Sequence, residues 1–193
     1  PYRRQRQMCI RDRNGNLVTL QSYPAAISRT SYARTTDGAN NWGLTALPTP
    51  GKSNDGSVFA TARLDAPIIN KDSQLFTSSF IARVTIPDGA TLKYTTDGTT
   101  PSATNGQVST TGRFTVNTTT TYRFRLFQDG MLPSEVITRS YIYKDKEFKL
   151  PVISVVTDPV NLYDDSLGVY VKGVNGRPGN GQSTPCNWNM EWD

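Results

Sequence analysis

The sequence predicts an all-β chain built around an immunoglobulin-like β-sandwich, and three observations carry that expectation. No segment shows a convincing 3.6-residue apolar period. Short runs of alternating apolar and polar residues recur along the chain, as on half-buried strands. Asp-Gly, Asn-Gly and Pro signals separate these runs, the punctuation of hairpins and short loops. The 193 residues are 36% hydrophobic and 19% charged, which is not the composition of a disordered chain.

Composition also excludes chemistry. There is no histidine, so a Ser-His-Asp triad, a His-ligated metal and a His general base cannot be built. Cys9 and Cys186 are the only cysteines, too few for a thiolate zinc site or a disulfide framework, although one disulfide is conceivable. No stretch approaches the roughly 18 apolar residues of a membrane span. No catalytic residue, cofactor or metal site is expected.

The N-terminal RRQRQMCIRDR, Arg3 to Arg13, looks like a phosphate-binding arm or a solvated terminus. A third reading displaces both. Back-translated in one frame, these residues match a widely used transposase-type sequencing-library adapter, so residues 1–13 are expected to be an adapter-derived artefact outside fold reasoning. Setting Arg3 to Arg13 aside leaves 16 Lys and Arg against 15 Asp and Glu, in place of 21 against 16. The net charge of +5 belongs mostly to this arm, and no nucleic-acid partner is implied.

Residues 14–54 come next. LVTLQSY suits a strand, and Trp42 and Leu44 alternate with Gly43 and Thr45 as on a half-buried strand. Pro48 and Pro50 then stop ladder pairing. Residues 55–63 read as a linker. In 64–144, Phe80, Ala82, Val84 and Ile86 share one face of FIARVTI, opposite Ile81, Arg83 and Thr85. Leu92 and Tyr94 lie on a strand that meets Asp97-Gly98, a dipeptide suited to the positive φ of a hairpin turn. Tyr122, Phe124 and Leu126 alternate with Arg123, Arg125 and Phe127, and Asp129-Gly130 and Pro133 lead on to EVITRSYIY. Six or seven short strands in this span suit a small sandwich.

In 145–193, Val152, Ser154 and Val156 alternate with Ile153 and Val155 in a nearly all-apolar strand, which predicts burial on both faces. Val169-Tyr170-Val171 suits a second short strand. Trp188, Met190 and Trp192 share one face of a third, opposite Asn187, Asn189 and Glu191.

Each candidate for chemistry has a plainer structural reading. Asp97 reads as a turn residue rather than a catalytic or metal-binding carboxylate. Asp158, Asp164 and Asp165 crowd one loop but lack the spacing of a calcium site. The glycines of KGVNGRPGNGQ match no phosphate-binding signature. Arg123, Arg125 and Arg139 read as one solvated face of the sandwich. Tyr94, Trp188 and Trp192 are candidate ligand contacts, because an exposed aromatic face can stack on a sugar ring, against the alternative that they are core.

Three resemblances order these sections. Ser31-Tyr32-Ala33-Arg34, Asp37-Gly38, Trp42 and Pro48 to Asn54 resemble the C-terminal part of a bacterial lamin-tail domain, an Ig-like sandwich. Ala66-Pro67, Tyr94-Thr95-Thr96-Asp97-Gly98-Thr99-Thr100-Pro101, Thr118 to Tyr122 and Ser134 to Tyr141 resemble the chitobiase/β-hexosaminidase C-terminal-type domain, with Asp97, Gly98 and Pro101 as its motif turn. Leu150-Pro151-Val152, Thr157-Asp158-Pro159, Asn161 to Asp164, Gly168 to Val171 and Asn187 to Trp192 resemble the opening of the spore-coat-protein-H (CotH) kinase family. The resemblances imply a fragment of a secreted or surface-attached bacterial multidomain protein. Its complete module would be a non-catalytic spacer or docking element whose partner is the downstream domain of the same polypeptide, with a cell-surface glycan or protein as a further partner. Two alternatives stand: a carbohydrate-binding accessory module, and a fragment of an atypical kinase whose active site lies beyond residue 193.

Overall fold

The computed structural model of the chain describes residues 7–23, 27–171 and 173–174. It is nearly all β, and it divides into two compact units. One takes in the chain up to Arg63 together with Asp129–Leu132; the other takes in Leu64–Gln128 and the chain from Pro133 onward.

In the first unit, β1 (Gln7–Arg11) and β2 (Leu17–Ser22) form an antiparallel hairpin. Its tip closes where Asp12 Oδ1 accepts the Asn14 and Asn16 amides, both at 2.8 Å. Ile10, Leu17, Val18 and Leu20 are exposed, so among its described side chains the hairpin has a ladder but no core of its own. A second hairpin pairs β3 (Ser31–Arg34) with β4 (Trp42–Thr45), setting Tyr32 opposite Leu44 and Arg34 opposite Trp42. The Trp42 ring stacks on Tyr32 at 5.7 Å and carries the Arg34 guanidinium at 4.9 Å. Leu44, Ala60 and Leu132 make a small core, flanked by Ile27 and Tyr32. β4 was expected to be half-buried. Gly43, Leu44 and Thr45 are all buried instead, because Phe59 lies against Gly43 while Ala60 bridges to Leu44. Asn54 closes the turns around this hairpin: its amide side chain donates to Arg34 O at 2.9 Å and its backbone N–H to Asp37 Oδ1 at 3.1 Å.

Among the described residues the second unit holds seven strands: β5 (Gln74–Phe76), β6 (Phe80–Arg83), β7 (Thr91–Thr95), β8 (Gln107–Ser109), β9 (Arg113–Val116), β10 (Thr120–Phe127) and β11 (Ile137–Tyr143). Five form one sheet in the order β5-β11-β10-β7-β8, antiparallel except for the parallel β5–β11 pair. The other layer is β6 with β9, lengthened by a bridge between Ile69 and Val84 and by the bonds Asn70 N–H to Arg83 O and Thr85 N–H to Ile68 O.

Alternation decides which side chains meet between the layers. Ala82, Val84, Phe114 and Val116 from the short sheet are buried, as are Leu92, Phe124, Leu126 and Tyr141 from the long one. Their rings interlock across the gap: Phe114 meets Tyr94 and Phe124 at 4.9 Å each, and Phe80 meets Tyr141 edge-on at 5.2 Å. Phe124 has 0% of its surface exposed. Burying a side chain of this kind contributes about 1.5–3 kcal/mol. The expected inward faces of residues 80–86 and 122–126 are thus the observed ones.

Three expectations are corrected. Residues 151–156 join no ladder and are not buried: Val152, Ile153, Ser154 and Val155 are exposed and only Val156 is partly covered. No second layer covers them among the described residues. Val169-Tyr170-Val171 is turn rather than strand, and a single helical turn, α1 (Val160–Tyr163), precedes it. Pro159 supplies the helical φ that starts this turn, and the Asp164 N–H closes it on Val160 O at 3.1 Å. Asp97-Gly98 is not the tip of a two-residue hairpin, since residues 96–106 join β7 to β8. The strand expected at Asn187–Trp192 lies outside the described residues.

Gly112 shows how tightly the short layer is closed. Its φ is +63°, and a Cβ there would meet the carbonyl of Val84, whose N–H donates to Gly112 O at 2.8 Å. Gly89, with φ +77°, would meet only the end of the Gln128 side chain, at 3.6 Å. Gly89→Ala should cost only the left-handed backbone penalty, about 1–2 kcal/mol. Gly112→Ala should cost clearly more, because a backbone carbonyl must move; urea denaturation of the two variants measures the difference.

Candidate functional site

The stretch from Tyr94 to Pro101 is built by its own side chains. Thr95 Oγ1 donates to Thr99 O at 2.5 Å. Asp97 Oδ1 accepts both the Thr99 amide, at 3.0 Å, and the Thr99 hydroxyl, at 2.6 Å. Gly98 takes φ +84°, a region that a side chain would strain. Asn105 Nδ2 ties the far side by donating to Thr99 Oγ1 and Thr100 O. Pro101 is fully buried.

The outward residues of β10 hold this turn against the sheet. Arg123 donates from Nη1 to Gly98 O at 2.7 Å, and Arg125 from Nη1 to Pro101 O at 3.3 Å and from Nε to Ser134 O at 2.9 Å. Arg139 pairs with Asp72 at 3.2 Å. The expectation of a solvated arginine face is therefore corrected: these side chains are half-buried and Arg123 and Arg125 tether loop carbonyls. Alternation places Arg123 and Arg125 away from the core, whereas Arg139, opposite Tyr122 in the ladder, is on the Tyr141 side; the carbonyls that Arg123 and Arg125 reach come from turns elsewhere in the chain.

The segment after β11 rests on the same face. Tyr141 points into the sandwich, so Thr138, Ser140 and Ile142 point outward by parity. Ser154 Oγ donates to Ser140 Oγ at 2.8 Å, and Ser140 is buried although it faces outward. Farther on, Asp158 Oδ2 accepts the Thr100 amide at 3.1 Å, and Thr157 O lies 3.0 Å from where a Gly98 Cβ would stand. Between segment and sheet lies a groove of about 570 Å³, lined by Ser73, Gln74, Leu75, Thr138, Ser140 and Ile142 on the sheet side and by Val152, Ser154 and Val156 on the other. Among the described residues no charged side chain lines it.

The other sequence candidates fall as follows. Tyr94 is half-buried: its ring packs on Phe114, Tyr122 and Phe124, and its hydroxyl donates to Gln107 Oε1 at 2.7 Å. Burial, and next the neighbouring Tyr94, raise the Tyr122 phenol above its ordinary pKa. Trp188 and Trp192 lie outside the described residues, as does Cys186; Cys9 is exposed. Asp158 and Asp164 spend their carboxylates on backbone amides, Asp164 Oδ1 accepting from Ser166 and Leu167 at 2.9 and 3.0 Å. No three acidic or sulfur groups converge as metal ligands among the described residues, and no helix among them is long and apolar enough to cross a membrane.

Asp97 carries a pH signature. The Thr99 hydroxyl, and next the Thr99 amide, favour its carboxylate and hold its pKa below the usual 3.8. The stability these bonds contribute is complete above 3.8 and is lost as pH falls through the lower folded value. The unfolding free energy should therefore drop between neutral pH and pH well below 3.8, and drop less in Asp97→Asn; paired urea titrations at the two pH values check it.

No curated protein matches the chain. Within the seven-strand unit, the stretch that holds the Tyr94–Pro101 turn and most of the sheet beneath it, residues 73–138, matches the family model described as the Chitobiase/beta-hexosaminidase C-terminal domain.

Proposed function

We propose that the seven-strand module is a non-catalytic docking element that fixes the direction in which the chain leaves it. The observation that carries this reading is the seam from Ser154 to Asp158, where the outgoing segment is bonded to Ser140 and to the amide of Thr100 in the motif turn. Rigid positioning needs such a seam, since a free linker would let the next domain wander. In this reading residues 14–54 are lamin-tail-like and residues 145–193 begin a CotH-like domain, in a protein of the bacterial cell surface or exterior. Any kinase chemistry would belong to the chain beyond them.

Asp158→Ala removes the acceptor for Thr100 and leaves the sandwich core intact. Hydrogen–deuterium exchange should rise several-fold at Thr100 and Val160, whose amides the Asp158 carboxylate accepts, with little change on β10 and β11. Unchanged exchange at Thr100 would refute the docking role.

The groove favours a second reading, a site for a neutral glycan, because four hydroxyls and one amide alternate with four aliphatic side chains in it. Titration of the chain with uncharged polysaccharides tests this. Binding lost in Thr138→Val supports it, and a uniform lack of binding removes it.

A further inference from the structure

One side chain closes the far side of the Tyr94–Pro101 turn. Asn105 Nδ2 donates to Thr99 Oγ1 at 2.9 Å and to Thr100 O at 3.0 Å. A single nitrogen must serve two acceptors here, which a primary amide does and a hydroxyl or carboxylate does not. The residue that follows must be glycine. Gly106 takes φ +103°, and a Cβ there would stand 3.0 Å from Tyr94 O and 3.4 Å from Thr95 Cγ2. The two demands set an Asn before a Gly, the order in which the next backbone nitrogen is least shielded from the side-chain carbonyl carbon. Asn105 is exposed, and among the described residues no hydrogen bond holds the Gly106 N–H. The pair Asn14-Gly15 differs, since the Gly15 N–H donates to Asp12 O at 3.0 Å.

We infer that Asn105 is a deamidation site whose conversion unlatches the Tyr94–Pro101 turn from the outgoing segment. The Gly106 nitrogen bonds to Asn105 Cγ, the Cγ–Nδ2 bond breaks, and ammonia leaves with the proton that Gly106 gives up. Water then opens the cyclic imide at either carbonyl, leaving aspartate or isoaspartate. Both products carry a carboxylate where the turn needs two donors. The Thr99 hydroxyl does not compensate, because its proton is spent on Asp97 Oδ1 at 2.6 Å. The new anion therefore faces the lone pairs of Thr99 Oγ1 and Thr100 O, with the Asp97 carboxylate bonded to the same hydroxyl. Thr100 is held from two sides, its carbonyl by Asn105 and its amide by Asp158, so losing the first hold loosens the second. The inference rests on the turn and stands whether or not the module is a docking element.

Peptide mapping of the full chain, held folded at mildly alkaline pH, tests the chemistry. Aspartate and isoaspartate should accumulate at residue 105. An amide kept there while the same buffer with urea converts it overturns the proposal. Asn105→Asp tests the consequence: hydrogen–deuterium exchange at Thr100 should rise several-fold over the native chain, with β10 and β11 unchanged. The converted fraction of aged native chain should show the same rise, and it supplies the reading by itself should Asn105→Asp fail to fold. Native exchange at Thr100 after conversion overturns the unlatching. Asp158→Ala separates these outcomes from the docking role, because it removes the other hold on Thr100 and leaves Asn105 and Gly106 in place, so conversion at residue 105 should proceed in that variant too.

Discussion

The parity of β10 is the constraint on which the seven-strand unit depends. This central strand pairs with β7 on one side and β11 on the other, so its two faces set the register of the long sheet. Inward, Phe124 and Leu126 occupy the middle of the sandwich, with Phe124 against Phe114, Tyr94 and Tyr122. Outward, Arg123 and Arg125 reach the carbonyls of Gly98, Pro101 and Ser134. A slip of one residue would exchange these faces, burying two guanidinium groups and exposing two of the largest core side chains. Each charged hydrogen bond contributes only about 1.5–3 kcal/mol, but together they bind a long loop to the sheet.

That loop in turn decides where the chain goes. The Asp97 carboxylate and the Thr95 hydroxyl shape the turn, and Gly98 allows the later segment to come within contact distance of its backbone. The Thr100 amide is left pointing outward, and Asp158 takes it. The succession from core alternation to arginine tether to turn to outgoing segment is continuous. It also brings the Ser154 hydroxyl onto Ser140, an outward residue that is buried.

The first unit obeys a different economy. Its β3–β4 hairpin is organised by one stacked trio, Tyr32, Trp42 and Arg34, and by the Asn54 side chain, with only Leu44, Ala60 and Leu132 as a core. The neighbouring β1–β2 hairpin has its ladder bonds and a capped tip, yet its aliphatic side chains remain in water. Two-stranded ribbons without a packed face are marginal in isolation.

Local pattern by itself determined the all-β class, the inward faces of residues 80–86 and 122–126, and the role of Asp97 and Gly98 as turn-formers. Each follows from a period of two or from the φ preference of one residue, and neither needs a distant partner. Tertiary structure decided what parity cannot encode. Arg123 and Arg125 read equally well as solvated until the Gly98, Pro101 and Ser134 carbonyls arrive from elsewhere in the chain. Asp158 read as a turn residue and became the acceptor for an amide far away in sequence. Val152 to Val156 read as buried on both sides because apolar alternation reports a preference for cover, whereas cover itself is supplied only by another element. Among the described residues the sheet covers only Val156 in part, and that difference separates a strand in composition from a strand in a ladder.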